Sequence, residues 1–411
     1  MARTARDLAP GEEGRASRHG GGRAPYRRDG RVALGAHARR GPRRDRHMDL
    51  DPRRMTATGD GQPRIVSVQM LRFVAAFAVL AFHAEIFAYY LGQFRGVNLE
   101  RPGFLAAGGA GVDLFFAISG FVMVVSMQPV FGRTGARRHF LVRRIVRIVP
   151  LYWAATLGLV AWRMRFAVPP DLASTLSALA FIPHPLETAH GRMVPPIEAG
   201  WTLNFEMLFY ALFAGCLASG ARSTVLRVGA ALALGVLAGA LLPLPQPLAF
   251  WTDPMVLEFA GGMALALVYH AGTRLPVPVR LAMAGAALAL ILPDHAGLLP
   301  DFPAWKRLLT WGVAGWLLLA ATVLGPFTLP APGLWRLGGD ISYAVYIVHM
   351  PLMEVVQTVW RHFRWPYGAL GEAVFVTGTM AGSLVAGLVL HRWLEKPVGR
   401  WLRAVAEPRS G

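Results

Sequence analysis

The stretch LRFVAAFAVLAFHAE, residues 71–85, is apolar except for three ionisable side chains. Arg72 lies near its beginning, and His83 and Glu85 lie toward its end. Ionisable groups inside a membrane helix are costly, so they are rare unless they have a function. The stretch therefore predicts a membrane-spanning helix that carries functional charges.

The composition of the whole chain agrees with a membrane protein. Of its 411 residues, 54% are hydrophobic and 16% are charged, whereas soluble domains carry about 25% charged residues. Apolar blocks of roughly 15 to 25 residues recur along the chain, each of a length suited to crossing a bilayer. The single cysteine, Cys216, excludes an intramolecular disulfide. The predicted fold class is all-α, a polytopic integral membrane protein with about ten transmembrane helices.

The hydropathy pattern and the distribution of Arg together predict the membrane topology. The joint 129–148 holds six Arg, and the joints 219–227 and 272–280 and the C-terminus are also basic. All four lie on one side of the membrane if there are ten spans, and the positive-inside rule makes that side the cytoplasm. We therefore expect a multi-pass membrane protein with both termini cytoplasmic. The predicted spans are 66–90, 111–128, 149–167, 201–218, 228–243, 254–271, 281–295, 307–324, 340–358 and 370–391.

The chain divides into three parts by composition: a tail at 1–64, a membrane domain at 65–400 and a short cytoplasmic C-terminal tail at 401–411. Residues 1–64 hold 16 Arg against eight acidic residues and few large apolar ones, which predicts disorder. Two interpretations of this segment stay open. It is a basic cytoplasmic tail, or translation starts within it, at Met48 or Met55. The formal net charge of +18 is shared between this tail and the membrane part, so we expect membrane lipids and no nucleic acid as partners.

Arg72 and His83 lie on the same face of the first predicted helix. Eleven residues correspond to three turns plus about 20°, and to about 16 Å along the axis. Alone, Arg72 could be a side chain that extends to the membrane surface, and His83 could be an interhelical hydrogen-bonding residue. Their shared face favours a joint function.

Four further motifs occur in a fixed order along the chain. They are GGAGVDLFFAISGFVM at 108–123, FLVRRIVRIVPLYW at 140–153, GWTLNFEMLFYALFA at 200–214 and GDISYAVYIVHMPLM at 339–353. Together they resemble the acyltransferase 3 family of bacterial membrane O-acyltransferases, and GWTLNFEMLFY is most similar to its exopolysaccharide-acetylating branch. The resemblance covers essentially residues 65–400.

The resemblance implies an acyl-CoA-dependent O-acyltransferase that transfers an acyl group from cytoplasmic acyl-CoA to a hydroxyl. It implies acetyl-CoA as the donor substrate and a glycan as the acceptor, either an exopolysaccharide or a lipid-linked sugar. A succinyl or other acyl chain is an open alternative. A second interpretation assigns the chain to a different class of protein, a membrane transporter or flippase whose buried charges line a substrate path.

The family's Arg-x10-His pattern maps onto Arg72 and His83, and His83 is the candidate general base. A neutral imidazole suits removal of a hydroxyl proton at neutral pH, and an acyl-histidine intermediate is also open. Asp113 and Glu206 each begin a predicted span on the outer side, so either could fix the tautomer of His83. Asp113 at a helix start is also favoured by the helix dipole alone.

The other candidate residues concern binding. Arg143 and Arg147 are four residues apart and, with Arg72, could bind the phosphates of CoA, although such a cluster also serves as a positive-inside anchor.

Three further side chains are candidates for substrate binding. His349 precedes Pro351, so it either lines a cavity at a kink or satisfies a freed carbonyl. No spacing of His, Cys and Asp suggests a metal site, and no metal is expected. The three substrate candidates are Trp201, Tyr210 and His349.

The predicted topology can be tested with reporter fusions. A reporter fused after Arg138 should be active on the cytoplasmic side, and one fused near Gly191 should be active on the extracytoplasmic side, because the six Arg of 129–148 set the orientation. Alkaline phosphatase and green fluorescent protein activities measure this. The reverse pattern would contradict a cytoplasmic acyl donor.

Overall fold

The computed structural model describes residues 55–57, 63–97, 104–292 and 304–406, all of which belong to one compact unit. The described residues are almost entirely helical, as the apolar blocks predict. The α-helices, in chain order, are α1 (Val66–Phe94), α2 (Gly111–Met127), α3 (Ala136–Phe166), α4 (Leu172–Leu179), α5 (Trp201–Gly215), α6 (Ala221–Leu241), α7 (Leu248–Trp251), α8 (Leu257–His270), α9 (Val277–Ile291), α10 (Ala304–Arg307), α11 (Val313–Val323), α12 (Pro332–His362), α13 (Ala369–Leu390) and α14 (Lys396–Ala406).

Short irregular turns extend several of these helices. A 3₁₀ turn at Phe104–Ala110 leads into α2, and a π-helical turn at Leu308–Gly312 joins α10 to α11. A second π-helical turn at His391–Glu395 joins α13 to α14. Each π turn inserts an extra residue into the helix and so changes the direction in which the following side chains project.

Each of the ten predicted spans overlaps a helix, and five helical stretches among the described residues are long and apolar enough to cross a membrane. The helices around Pro254–His270 and Val277–Ile291 are apolar but shorter. The number of crossings therefore stays a prediction. The five stretches are Val66–Phe94, Ala107–Met127, Ala136–Phe166, Ala221–Leu241 and Ala369–Ala406.

The outer surface of the bundle is apolar, as a lipid-facing surface requires. On α6, for example, Leu226, Leu234 and Leu241 are each more than 60% exposed. Contiguous exposed apolar side chains of this kind are unfavourable in water and favourable against lipid tails. The structure thus supports the membrane assignment made from hydropathy.

The structure adds local detail at three of the predicted boundaries. Helix α3 begins at Ala136, within the joint predicted at 129–148, because Arg is a good helix former and the sequence has no helix breaker until Pro150. The predicted tail at 401–411 begins inside α14. Most of the predicted tail at 1–64 lies outside the described residues, but Met55–Ala57 pairs antiparallel with Pro63–Ile65, a pairing that the sequence did not predict.

Helix α2 is the centre of the bundle, and its glycines permit the closest helix contacts. A Cβ atom built on Gly120 would lie 2.1 Å from the carbonyl oxygen of Phe259 on α8, and one on Gly262 of α8 would lie 2.0 Å from that of Ala117. The two glycines therefore bring the backbones of α2 and α8 into direct contact. The ring of Phe259 stacks on that of Phe116 at 4.5 Å between centroids beside this crossing.

An ion pair connects α3 to α12. Arg163 donates from Nε and Nη2 to the two carboxylate oxygens of Glu354, at 2.7 and 2.6 Å. Such a two-point contact fixes both distance and orientation. It holds the end of α3 against the second half of α12, on the opposite side of the bundle from the Arg residues that begin α3.

The α2–α8 crossing predicts a sharp difference between two glycine substitutions. Gly262→Ala should destabilise the protein by about 1–3 kcal/mol, because the new methyl group has no space beside a backbone carbonyl. Gly285→Ala on α9 is the matched control, since nothing lies within 4 Å of the added atom. Thermal unfolding in detergent measures both. Equal stability of the two variants would contradict the close crossing.

Candidate active site

The two histidines singled out in the sequence meet in the interior of the bundle. His349 Nε2 lies 3.2 Å from His83 Nδ1, although the residues are 266 positions apart. His83 projects from α1 and is half-buried, whereas His349 projects from α12 and has no exposed surface. The interior of the bundle therefore contains a hydrogen-bonded histidine pair.

The hydrogen bonds of this pair define its tautomers. His349 Nδ1 lies 3.2 Å from the carbonyl oxygen of Val345, so this nitrogen carries the proton and Nε2 accepts. His83 Nδ1 faces both that acceptor and the carbonyl oxygen of Val79 at 2.9 Å, so it must be the donor. We assign the protons from this network. The assignment leaves the lone pair of His83 on Nε2, the nitrogen that a general base would use.

The structure selects neither of the two roles expected for His349 beside Pro351. Its side chain donates to Val345, not to the carbonyl four residues before the proline, which is that of Ile347. The residue does not line the cavity described below. Its observed partner is His83, a contact that no local pattern around Pro351 could reveal.

A deep cavity of about 560 Å³ opens at the Arg-rich end of the bundle. Its lining along α2 runs from Ser126 to Val112, a helix length of about 21 Å. The volume falls within the range of about 300–1,000 Å³ that is usual for small-molecule sites. Eight basic side chains line this cavity, namely Arg72, Arg143, Arg144, Arg147, Arg392, Lys396, Arg400 and Arg403.

All three residues predicted to bind the donor thus lie in one cavity. Arg72 comes from α1, while Arg143 and Arg147 come from α3. The Nε atoms of Arg143 and Arg144 are buried without a hydrogen-bond partner. Buried guanidinium donors are rarely left unpaired, so this part of the cavity fits an anionic group.

The inner end of the cavity lies one helical turn from the histidine pair. Asp340, Tyr343 and Tyr346 line the cavity at intervals of three residues along α12, and His349 is the next position in that series. The rings of Tyr346 and His349 are 5.8 Å apart between centroids. The Tyr346 hydroxyl lies 3.1 Å from the hydroxyl of Thr202, and these two side chains form the cavity's inner wall.

Glu206 and Tyr210 also line the cavity and contact each other. The hydroxyl of Ser119 donates to Glu206 Oε1 at 3.2 Å, and the Tyr210 hydroxyl donates to the same oxygen. Two hydroxyls thus hold the Glu206 carboxylate at the cavity wall, close to Arg72 and Arg144. The placement of Tyr210 agrees with a binding role. Glu206 takes part in this cluster and not in the histidine pair.

The structure also gives Asp113 a different partner from the one predicted. Its two carboxylate oxygens accept from Nε and Nη2 of Arg307 at 3.0 and 2.9 Å. The ring of Trp201 lies 5.7 Å from this guanidinium. Asp113 and Trp201 therefore belong to a cluster around Arg307 that lies outside the cavity lining.

Sequence reasoning missed several of these residues. Arg307 was placed at the edge of a predicted span, with no signal that a residue 194 positions earlier would pair with it. The basic residues of the C-terminus were interpreted as a topological signal only. Their spacing at 396, 400 and 403 is the helical signal that could have identified a basic face.

Comparison with known proteins relates the chain to acyltransferases. The acyltransferase 3 family model, described as an acyltransferase domain, matches residues 65–392. The chain is 34% identical over 314 residues to the exopolysaccharide production protein ExoZ of Rhizobium meliloti (strain 1021). This match covers 72% of the chain and 91% of that relative. The comparison with solved structures gave no match.

Two more distant relatives share parts of the chain. YrhL of Bacillus subtilis (strain 168), whose name proposes a peptidoglycan O-acetyltransferase, is 27% identical over 365 residues, covering 79% of this chain and 53% of YrhL. Protein 2 in the picA locus of Rhizobium radiobacter is 28% identical over 179 residues, covering 39% of this chain and 85% of that protein. The chain thus spans about half the length of YrhL.

The Asp113–Arg307 pair predicts a stability effect. Asp113→Ala should destabilise the protein by about 3–5 kcal/mol, because it leaves the Arg307 charge largely buried without its counter-ion. Arg192→Gln breaks an ion pair with Glu198 in which the two side chains are 52% and 37% exposed, and should cost about 1 kcal/mol or less. Thermal unfolding measures both.

The same experiment separates this structural role from the predicted catalytic one. If Asp113 served His83 directly, a stable Asp113 variant would lose turnover at unchanged thermal stability. The structure instead predicts that Asp113→Ala lowers the thermal stability of the protein, and that it changes turnover per folded molecule much less.

Proposed function

The chain belongs to the acyltransferase 3 family and is an acyltransferase, and on that premise we propose its substrates and its mechanism. It transfers an acetyl group from cytoplasmic acetyl-CoA to a hydroxyl of a glycan. The acceptor is an exopolysaccharide or a lipid-linked sugar. The protein acts in the bacterial inner membrane with ten spans and both termini in the cytoplasm.

The observation that carries this proposal is the basic cavity that ends beside a histidine pair. A cavity of about 560 Å³ lined by eight basic side chains suits a long donor that carries several phosphates. Its lining extends along about 21 Å of α2, a length that suits an extended arm carrying a thioester into the bundle. Only one helical turn then separates Tyr346, at the inner wall, from His349.

In the proposed reaction, His83 Nε2 removes the proton of the acceptor hydroxyl as the oxygen attacks the thioester carbonyl. The new C–O bond forms, the C–S bond breaks, and the leaving thiolate takes the proton from His83. Each step uses the nitrogen that the tautomer assignment leaves unprotonated. His349 acts through His83, because its Nε2 accepts the Nδ1 proton and fixes the ring orientation.

The two sides of the histidine pair serve different substrates in this proposal. The donor enters from the Arg-rich end, which the positive-inside rule makes cytoplasmic. The acceptor approaches His83 from the opposite side, where the outer loops lie. The names of ExoZ and YrhL refer to exopolysaccharide production and to peptidoglycan, and both support a glycan acceptor.

Deletion of the gene tests the acceptor. O-acetyl groups on the extracellular polysaccharide and on peptidoglycan should be measured in the deletion strain, and again after complementation with the wild-type chain or with His83→Ala. The expected result is loss of O-acetyl groups from the exopolysaccharide and rescue by the wild-type chain alone. Unchanged acetylation of both polymers would contradict the proposal.

The histidine pair and Arg72 should separate turnover from donor binding. His83→Ala should lower acetyl transfer by about 10²-fold or more, the usual scale for a general base, with CoA affinity nearly intact. His349→Leu should lower kcat less, with little change in KM. Arg72→Ala should weaken CoA binding, and Arg72→Lys should restore little if the contact is bidentate.

These variants require matched amounts of folded protein, measured by size-exclusion profile and thermal unfolding. Transfer of radiolabelled acetyl groups and equilibrium CoA binding are the two readouts. Near-normal transfer by His83→Ala would exclude His83 as the base. A fall in CoA affinity without a fall in kcat would show that His83 binds the donor instead.

A further inference from the structure

Helix α14 is amphipathic, but its basic face is turned inward and its apolar face outward. Lys396, Arg400 and Arg403 recur on one face, and all three line the cavity. Trp401 and Val405 lie on the opposite face and are 65% and 64% exposed. A helix on a soluble protein turns its apolar face inward. Here the apolar face is outward, as expected for a helix that lies at a lipid surface.

The length of the preceding helix places α14 beyond the membrane core. The helical stretch Ala369–Ala406 has 38 residues, about 57 Å of helix, whereas the hydrocarbon core is about 30 Å thick. Trp393, in the π turn before α14, is 80% exposed, and tryptophan is enriched at membrane interfaces. If α13 spans the membrane, α14 lies in the interface.

Contacts with α3 make α14 a fixed wall of the cavity. A Cβ built on Gly399 would lie 3.8 Å from Val146 Cγ1, an ordinary packing distance. Arg138 donates to the carbonyl oxygen of Ala406. Within the π turn, His391 Nδ1 lies 2.8 Å from Glu395 Oε2, and both side chains line the cavity. The basic face of α14 is therefore held in position at both ends.

The basic side chains form two tiers in the cavity. Arg72, Arg143 and Arg147 are half-buried toward its interior, whereas Lys396 and Arg400 are exposed at its mouth. Arg403, less than one turn beyond Arg400 on the same face of α14, is half-buried and lines the same cavity. This step rests on the proposed acyl-CoA donor, which carries a diphosphate in its middle and a 3′-phosphate on the ribose at the end far from the thioester. With the thioester at the inner wall, the diphosphate meets the inner tier and the 3′-phosphate reaches the mouth.

We infer that Arg400 and Arg403 of α14 form the subsite for the ribose 3′-phosphate of the donor, and that the apolar face of α14 holds this subsite at the membrane surface. An organic phosphate is the ligand chemistry that the two guanidinium groups fit. A phospholipid headgroup offers the same chemistry at the same surface, so the experiment must distinguish the two sources.

The test compares CoA with 3′-dephospho-CoA, which differs by that phosphate alone. The full-length protein is reconstituted in phosphatidylcholine nanodiscs, and both ligands are titrated by calorimetry. The wild type should bind CoA about tenfold or more tightly than 3′-dephospho-CoA. Arg400→Gln/Arg403→Gln should lose most of this preference by weakening CoA binding alone. Arg222→Gln/Arg227→Gln, the matched control, removes two exposed charges outside the cavity lining and should bind as the wild type does.

Each contrary outcome has a distinct meaning. Equal loss of affinity for both ligands, or no loss for either, would overturn the 3′-phosphate subsite. Repeating the titrations with phosphatidylglycerol nanodiscs addresses the lipid. If the α14 variant loses only the thermal stabilisation given by phosphatidylglycerol, the basic face binds headgroups and the inference is overturned. Failure of the wild type to bind CoA at all would instead contradict the proposed function.

Discussion

The close packing of α2 against its neighbours is the constraint on which the rest of the structure depends. Gly120 and Gly262 remove the side chains that would separate α2 from α8, and Gly111 does the same toward Ala75 on α1. Without a hydrophobic driving force between helices in lipid, such close contacts supply much of the association energy. They also make α2 a rigid reference, since it forms one wall of the cavity and presents Ser119 to Glu206.

Around this helix, the protein holds its interior charges in three different ways. Asp113 and Arg307 neutralise each other in a two-point ion pair, which stabilises the fold and leaves no reactive group. His83 and His349 share a hydrogen bond, and the assigned tautomers leave one free lone pair on His83 Nε2. Arg143 and Arg144, which line the cavity, instead each have a buried Nε donor without a hydrogen-bond partner. Only the second and third arrangements leave capacity for a substrate.

The proposed reaction and the proposed subsite on α14 use one geometric principle. A long donor needs its phosphates fixed at one end so that its thioester is presented reproducibly at the other, because orientation contributes a large share of catalysis. Basic side chains on α1, α3 and α14 line the cavity, and Tyr346 marks its inner end. A helix anchored in the interface could thereby help to set the position of a reacting atom deep in the bundle.

The sequence alone determined features that depend on local periodicity and composition. Apolar blocks predicted the helices, the eleven-residue spacing placed Arg72 and His83 on one face, and the order of four motifs indicated the family that the comparison confirmed. Helix boundaries were less accurate where Arg residues extended α3 to Ala136. These features follow from the 3.6-residue repeat, which any short segment carries by itself.

Only the tertiary structure decided which distant side chains meet. The sequence offered Asp113 and Glu206 as partners of His83, but the packing of α1 against α12 supplied His349, and Arg307 took Asp113. It also turned the basic face of α14 into the cavity, where the sequence had indicated only that this end of the chain is cytoplasmic. The physical reason is that helix periodicity fixes the face on which a residue lies, while the neighbour of that face is set by packing between segments hundreds of residues apart.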